Sequence, residues 1–91
     1  MNYRLYIGSN NITGKVEKNK AVKIIANNHK GFTILPEAEG YWNGKPEKTL
    51  LIEIETEDRA GLMDTIKTLA KELHQEAIGL LAISKMDFIG A

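Results

Sequence analysis

Apolar and polar residues alternate at the start of the chain. Tyr3, Leu5 and Ile7 fall on one face and Arg4 and Tyr6 on the other, until Gly8-Ser9-Asn10-Asn11 breaks the pattern. A period of two predicts a first β-strand with one buried face, ending in a loop. From Lys15 to Asn28 the period becomes that of a helix, with Ala21, Val22, Ile25 and Ala26 along one side and Lys20, Lys23 and Asn27 mainly elsewhere. Thr13 is the expected cap. Gly31, closing the run Asn27-Asn28-His29-Lys30-Gly31, is expected to supply the left-handed turn that reverses the chain.

Phe32-Thr33-Ile34-Leu35 opens a second strand that continues through Gly40-Tyr41-Trp42. Pro36 has no N–H to give to a ladder and so marks an edge or a bulge. Asn43-Gly44 is the strongest local signal in the sequence, because both residues tolerate the positive φ that a type I′ hairpin turn demands. Lys48 to Glu55 returns as a third strand, with Leu50, Ile52 and Ile54 on one face and Thr49, Leu51, Glu53 and Glu55 on the other. Glu57 and Asp58 favour the start of a second helix through its dipole. From Ala60 to Glu76 the residues Leu62, Met63, Ile66, Leu69, Ala70 and Leu73 form one apolar stripe. Ala77 to Ser84 predicts a fourth strand, and Met86 to Ile89 a tail that packs back or extends it. The order is β-α-β-β-α-β. The economical way to bury both helix stripes is an α+β, ferredoxin-like split βαβ fold: a four-stranded antiparallel sheet with two helices on one face.

Length and composition narrow the classes. Ninety-one residues predict one domain over 1–91. A 43% hydrophobic and 26% charged composition excludes a disordered tail, a collagenous repeat or a coiled coil as the main organisation. With no cysteine, the chain has no disulfide framework, thiolate zinc site or cysteine nucleophile. No apolar run approaches the roughly 20 residues that span a bilayer, and Met1 to Gly8 lacks the pattern of a signal peptide. A cytoplasmic protein with no membrane partner is the expectation.

Net charge is zero but unevenly laid out. Residues 1–35 hold six Lys or Arg against Glu17 alone, a net of +5, and residues 36–91 hold six against eleven Asp or Glu, a net of −5. Lys15, Lys18, Lys20, Lys23 and Lys30 give the first helix region a positive field, so Lys20 and Lys23 are candidates for steering an anionic partner. The alternative is a solvated, solubilising surface.

Chemistry is sparse. His29 and His74 are the two histidines, and neither has a carboxylate placed to orient it or a serine in a nucleophile turn, so no catalytic residue is assigned and no cofactor is implied. Glu53, Glu55, Glu57 and Asp58 are explained as a solvated strand edge, and no metal site is assigned. The hairpin is different. It places Tyr41, Trp42, Lys45 and Lys48 around a tight turn, where aromatics can stack a ring and lysines can hold a phosphate or an acidic partner. With Tyr6 on the open sheet face, these are the candidate ligand-binding residues. Trp42 has a second reading, as a cover over the open end of the core.

Several stretches carry resemblances. Leu5-Tyr6-Ile7-Gly8-Ser9-Asn10 and Lys30-Gly31-Phe32 resemble the two signatures of the RNA recognition motif, whose aromatics stack bases. Here Lys30-Gly31-Phe32 begins strand two, and strand three has no aromatic and presents Glu53 and Glu55, so nucleic acid is not expected as a partner. Asn11, Trp42 and His74 are similar in residue type to the polar trio of ferredoxin-like dimeric monooxygenases. Arg4-Leu5-Tyr6-Ile7-Gly8, Gly31-Phe32-Thr33-Ile34-Leu35, Gly40-Tyr41-Trp42, Glu47-Lys48-Thr49 and Gln75-Glu76-Ala77 resemble, in order and spacing, a group of short bacterial and phage-borne domains of unknown function. Gly31-Phe32-Thr33, Gly40 and Ile52-Glu53-Ile54 are similar to the PII signal-transduction family, with its long hairpin between strands two and three. That likeness implies trimers that bind nucleotides between subunits, although no glycine-rich phosphate loop follows the second helix.

The sequence therefore favours a non-catalytic, self-associating binding domain, carried by a phage or another mobile element. Its ligand would be a small anionic molecule, of nucleotide type, or a host protein. One alternative is a cofactor-poor dimeric enzyme of the monooxygenase or isomerase type. Another is a protein-directed inhibitor with no small-molecule ligand.

Overall fold

The computed structural model describes residues 1–83 and Ile89, and the side chains of Pro36 and Trp42 fall outside that description. The elements follow the expected order: β1 (Asn2–Ile7), α1 (Lys18–Asn28), β2 (Phe32–Trp42), β3 (Lys45–Glu55), α2 (Arg59–Glu72) and β4 (Gly79–Ile83). The strands form an antiparallel sheet in the order β2-β3-β1-β4, which is the ferredoxin-like arrangement. The strand end proposed at Ser84 and the tail from Met86 lie outside the described residues, apart from Ile89. Among the described residues, no helix is long and apolar enough to cross a membrane.

Register explains the core. Tyr3, Leu5 and Ile7 of β1 stand opposite Ile54, Ile52 and Leu50 of β3, so their side chains share the face that the helices cover. Ala21 and Ile25 of α1 join them, as do Leu62, Ile66 and Leu69 of α2 and Leu73 at its C-terminal cap, in one cluster. Ile24, rather than Ala26, completes the α1 contribution, and Ala26 is exposed.

Four boundaries differ from the sequence reading, each for a local reason. The first helix begins at Lys18 instead of Lys15, because Asn10 takes hold of the preceding loop. Its Oδ1 accepts from the N–H groups of Ile12 (2.7 Å) and Thr13 (3.1 Å), its Nδ2 donates to Glu17 (2.9 Å), and Gly14 turns at φ 72°. Thr13 is thus inside an Asx turn, and Glu17 occupies the cap position without a side-chain cap bond. Gly31 is not the left-handed residue after α1. The chain leaves that helix through His29 in an extended conformation (φ −132°). The second helix runs over Arg59–Glu72, where Asp58 accepts from Gly61 N–H at 2.8 Å as its N-cap. It stops short of Glu76 because His74 turns at φ 51°. Finally, β3 extends back to Lys45 and is an interior strand, so Glu53 and Glu55 do not form a strand edge.

The hairpin turn is as expected. Asn43 (φ 52°) and Gly44 (φ 75°) link Trp42 to its partner Lys45 directly. Near Pro36 the β2–β3 register shifts between Leu35 and Ala38, which places the irregularity on an edge strand.

Candidate functional site

The sheet face turned away from the helices carries Arg4 and Tyr6 of β1, Leu51 and Glu53 of β3, Thr33 and Leu35 of β2, and Gly79 and Leu81 of β4. Near its centre the Arg4 Nε donates to Glu53 Oε2 at 2.9 Å, and an Nη of the same guanidinium to the same oxygen at 2.5 Å. The Tyr6 side chain first and the Glu53 carboxylate second hold the Arg4 guanidinium above its ordinary pKa. Glu53 is therefore committed to an ion pair. Asp58 acts as a helix cap, and Glu55 and Glu57 accept from the Met1 ammonium at 3.0 and 2.7 Å, so all four carboxylates weighed for a metal have structural work. Among the described residues no group of three or more His, Cys, Asp or Glu is placed to hold a metal ion.

At one end of this face a cleft of about 220 Å³ opens where β1 stops. Tyr6 of β1, Gly8 just beyond it and Gly79 of β4 line it, with Gly40, Tyr41, Glu47 and Thr49 from the hairpin. Asn11, Gln75, Glu76 and Ala77 form its rim from two loops. Gly40 and Gly79 are strand glycines and Gly8 follows the end of β1, and a neighbouring side chain approaches each of them closely. A Cβ on Gly8 would lie 2.5 Å from Glu47 Oε1, and one on Gly40 would lie 2.6 Å from Thr49 Oγ1. A Cβ on Gly79 would press on Tyr6, 3.1 Å from its Cβ.

Two bonds fix the walls. Gln75 Nε2 donates to the carbonyls of Gly8 (2.9 Å) and Ser9 (2.5 Å), which ties the α2–β4 loop to the end of β1. Ser9 Oγ donates to Glu47 Oε2 at 3.1 Å, which holds the carboxylate across the mouth of that strand end.

The structure brings Tyr6 and Tyr41 into one cleft. Lys45 and Lys48 lie elsewhere on the hairpin. Lys48 is exposed, 3.6 Å from Glu37, and faces a shallower hollow with Pro46 and Lys15. Both readings of Trp42 concern a side chain outside the description. Lys20 and Lys23 are exposed on α1, and Lys20 Nζ donates to the Glu72 carbonyl at 3.0 Å, closing the C-terminal end of α2. Of the trio Asn11, Trp42 and His74, the first and last meet through their main chains, Asn11 N–H donating to the His74 carbonyl at 3.2 Å. Asn11 lines the cleft and His74 does not. Sequence reasoning did not single out Gln75, Glu47 or the glycines of the cleft. The available signal was glycine at Gly40 and Gly79 within strands, where it is disfavoured unless something approaches closely.

These features define an α+β, ferredoxin-like scaffold with an open cleft at one end of its sheet. No family model matches the chain, and no curated protein matches it in sequence. Its fold is shared with solved structures of divalent cation tolerance proteins. CutA1 from Thermus thermophilus is 18% identical with a TM-score of 0.56, the match covering 96% of this chain and 88% of that one. A point mutant of CutA1 from Pyrococcus horikoshii is 19% identical with a TM-score of 0.52, covering 93% and 86%. The periplasmic divalent cation tolerance protein CutA from Archaeoglobus fulgidus is 16% identical with a TM-score of 0.51, covering 94% and 87%. At these identities the likeness is one of fold.

Proposed function

We propose that this chain is a non-catalytic, self-associating binding domain, with its small-molecule site in the cleft between Tyr6, Tyr41 and Gln75. The observation that carries the reading is the cleft itself, a concave site at the end of β1 where Gly8, Gly40 and Gly79 let Glu47, Thr49 and Tyr6 approach the backbone closely. Self-association is supported by the open face, where Leu35, Leu51 and Tyr6 lie in register across three strands and Leu81 is 46% exposed. A second copy of the chain is the occupant that suits a face of mixed apolar character with its one central charge pair already neutralised.

Ligand charge follows from the lining. Among the described residues two carboxylates, Glu47 and Glu76, and no Lys or Arg border the cleft, so it suits a cation or a neutral molecule better than the anionic, nucleotide-type ligand expected from the hairpin lysines. The structural neighbours are divalent cation tolerance proteins, which is consistent with a cation-related role. An anionic ligand or a protein partner would have to use Lys45 and Lys48 on the outer hairpin instead. Cytoplasmic location and carriage by a mobile element are part of the same proposal and rest on the sequence alone.

Native mass spectrometry of freshly purified protein tests the reading. The expected spectrum is a multiple of the chain mass that carries a small bound molecule. A bare monomer at micromolar concentration, with no ligand-dependent change in cleft amides, would refute it.

A further inference from the structure

We infer that the cleft takes the ammonium group of a small organic amine, with Glu47 as its counter-ion and Tyr6 as its aromatic wall. The inference rests on the cleft being the ligand site and goes on to name the ligand's chemical class. Glu47 is half-buried, and its two oxygens have different surroundings. Oε2 accepts from Ser9 Oγ, whereas Oε1 stands over the bare backbone of Gly8 and takes no hydrogen bond from any described residue. A carboxylate anchored through one oxygen and open at the other is arranged to accept a charged N–H donor.

The neighbouring groups select the kind of cation. Tyr6 borders the same space from the sheet face that also carries Glu47, and an ammonium group gains from an aromatic ring as well as from a carboxylate. Thr49 offers a hydroxyl and Asn11 an amide. A divalent metal would want a fuller set of charged oxygens or imidazoles, and among the described residues no group of three or more such side chains comes together. Size sets the upper limit. A cleft of about 220 Å³ holds a short alkylamine and is too small for a nucleotide, since drug-sized ligands occupy roughly 300–1,000 Å³.

The test titrates the full chain with n-butylammonium chloride and follows backbone amides by two-dimensional NMR, with n-butanol, sodium acetate, AMP and zinc chloride as comparison probes. Saturable shifts at Gly8 and Gly79 with n-butylammonium, and none with n-butanol, are expected. Glu47→Gln keeps the size of the side chain and a carbonyl acceptor for Ser9. It should weaken n-butylammonium binding by about tenfold or more, the scale of a hydrogen bond to a charged group. Tyr6→Leu, which removes the aromatic ring on that face, should weaken it by a smaller factor. Equal shifts with n-butanol, or unchanged affinity in Glu47→Gln, would overturn the assignment. If acetate, AMP or zinc moves these amides while n-butylammonium does not, the cleft stands as a ligand site and the amine is wrong. If no probe moves them, both fall together.

Discussion

Gln75 is the residue whose loss should say most about how the cleft is held. Its side-chain amide donates to two main-chain carbonyls, Gly8 O and Ser9 O, across 67 and 66 positions of sequence. Each neutral hydrogen bond of this kind contributes a net 0.5–1.5 kcal/mol or so, giving a ceiling of about 3 kcal/mol for the pair. Gln75→Ala should fall below that ceiling, because the cleft is open and water can reach the abandoned carbonyls. We expect about 1–2 kcal/mol in urea denaturation, which for a chain of this size is a drop in Tm of roughly 5–15 °C. Gln75→Glu is the sharper comparison. It keeps the length of the side chain but replaces the N–H donor by a carboxylate facing two carbonyl oxygens. At neutral pH it should therefore be at least as destabilising as the alanine variant. Amide exchange adds a local readout, since the segment from Gly8 to Asn11 should lose protection in both variants while β3 keeps it. A Gln75→Glu protein as stable as the parent at neutral pH would refute the clamp.

Other expectations follow from the core and its caps. Leu69→Ala removes a fully buried side chain on α2 and should cost about 2–5 kcal/mol with an unchanged m-value in urea. Asp58→Ala should cost about 0.5–2 kcal/mol by freeing the Gly61 N–H, and Asp58→Ser should recover most of it, both by thermal melting. Thr65 donates to the Gly61 carbonyl and accepts from His29 Nε2, each at 3.0 Å, so Thr65→Val strands a buried imidazole and should cost about 1–3 kcal/mol in the same assay. Leu51→Lys on the open face should lower the mass seen by light scattering, with little change in Tm. An unchanged assembly would move the contact off that face.

Strand order and the core could be read from the sequence because their signals are local and redundant. The alternation at Tyr3, Leu5 and Ile7 matches that at Leu50, Ile52 and Ile54, and Asn43-Gly44 leaves one way to join β2 to β3. Helix ends were less legible because they depend on competition between neighbours. Thr13 is a good cap in isolation, but Asn10 reaches its N–H first. Gly31 tolerates a left-handed turn, yet His74 is the residue that adopts one after a helix. The cleft lies between these cases. Tyr6 and Tyr41 could be named from residue type and face. Gln75 could not, because its contact with Gly8 exists only once β1 and the α2–β4 loop lie side by side, and Glu47 looks like an ordinary hairpin acid until Ser9 fixes it.

The register shift beside Pro36 has a consequence for assembly. An eleven-residue outer strand such as β2 would otherwise present a long row of free N–H and C=O groups, a template on which another chain could extend the sheet indefinitely. Proline removes a donor from the strand, and the irregularity between Leu35 and Ala38 puts its two halves out of step with a single incoming partner. Growth sideways from this edge is thereby discouraged.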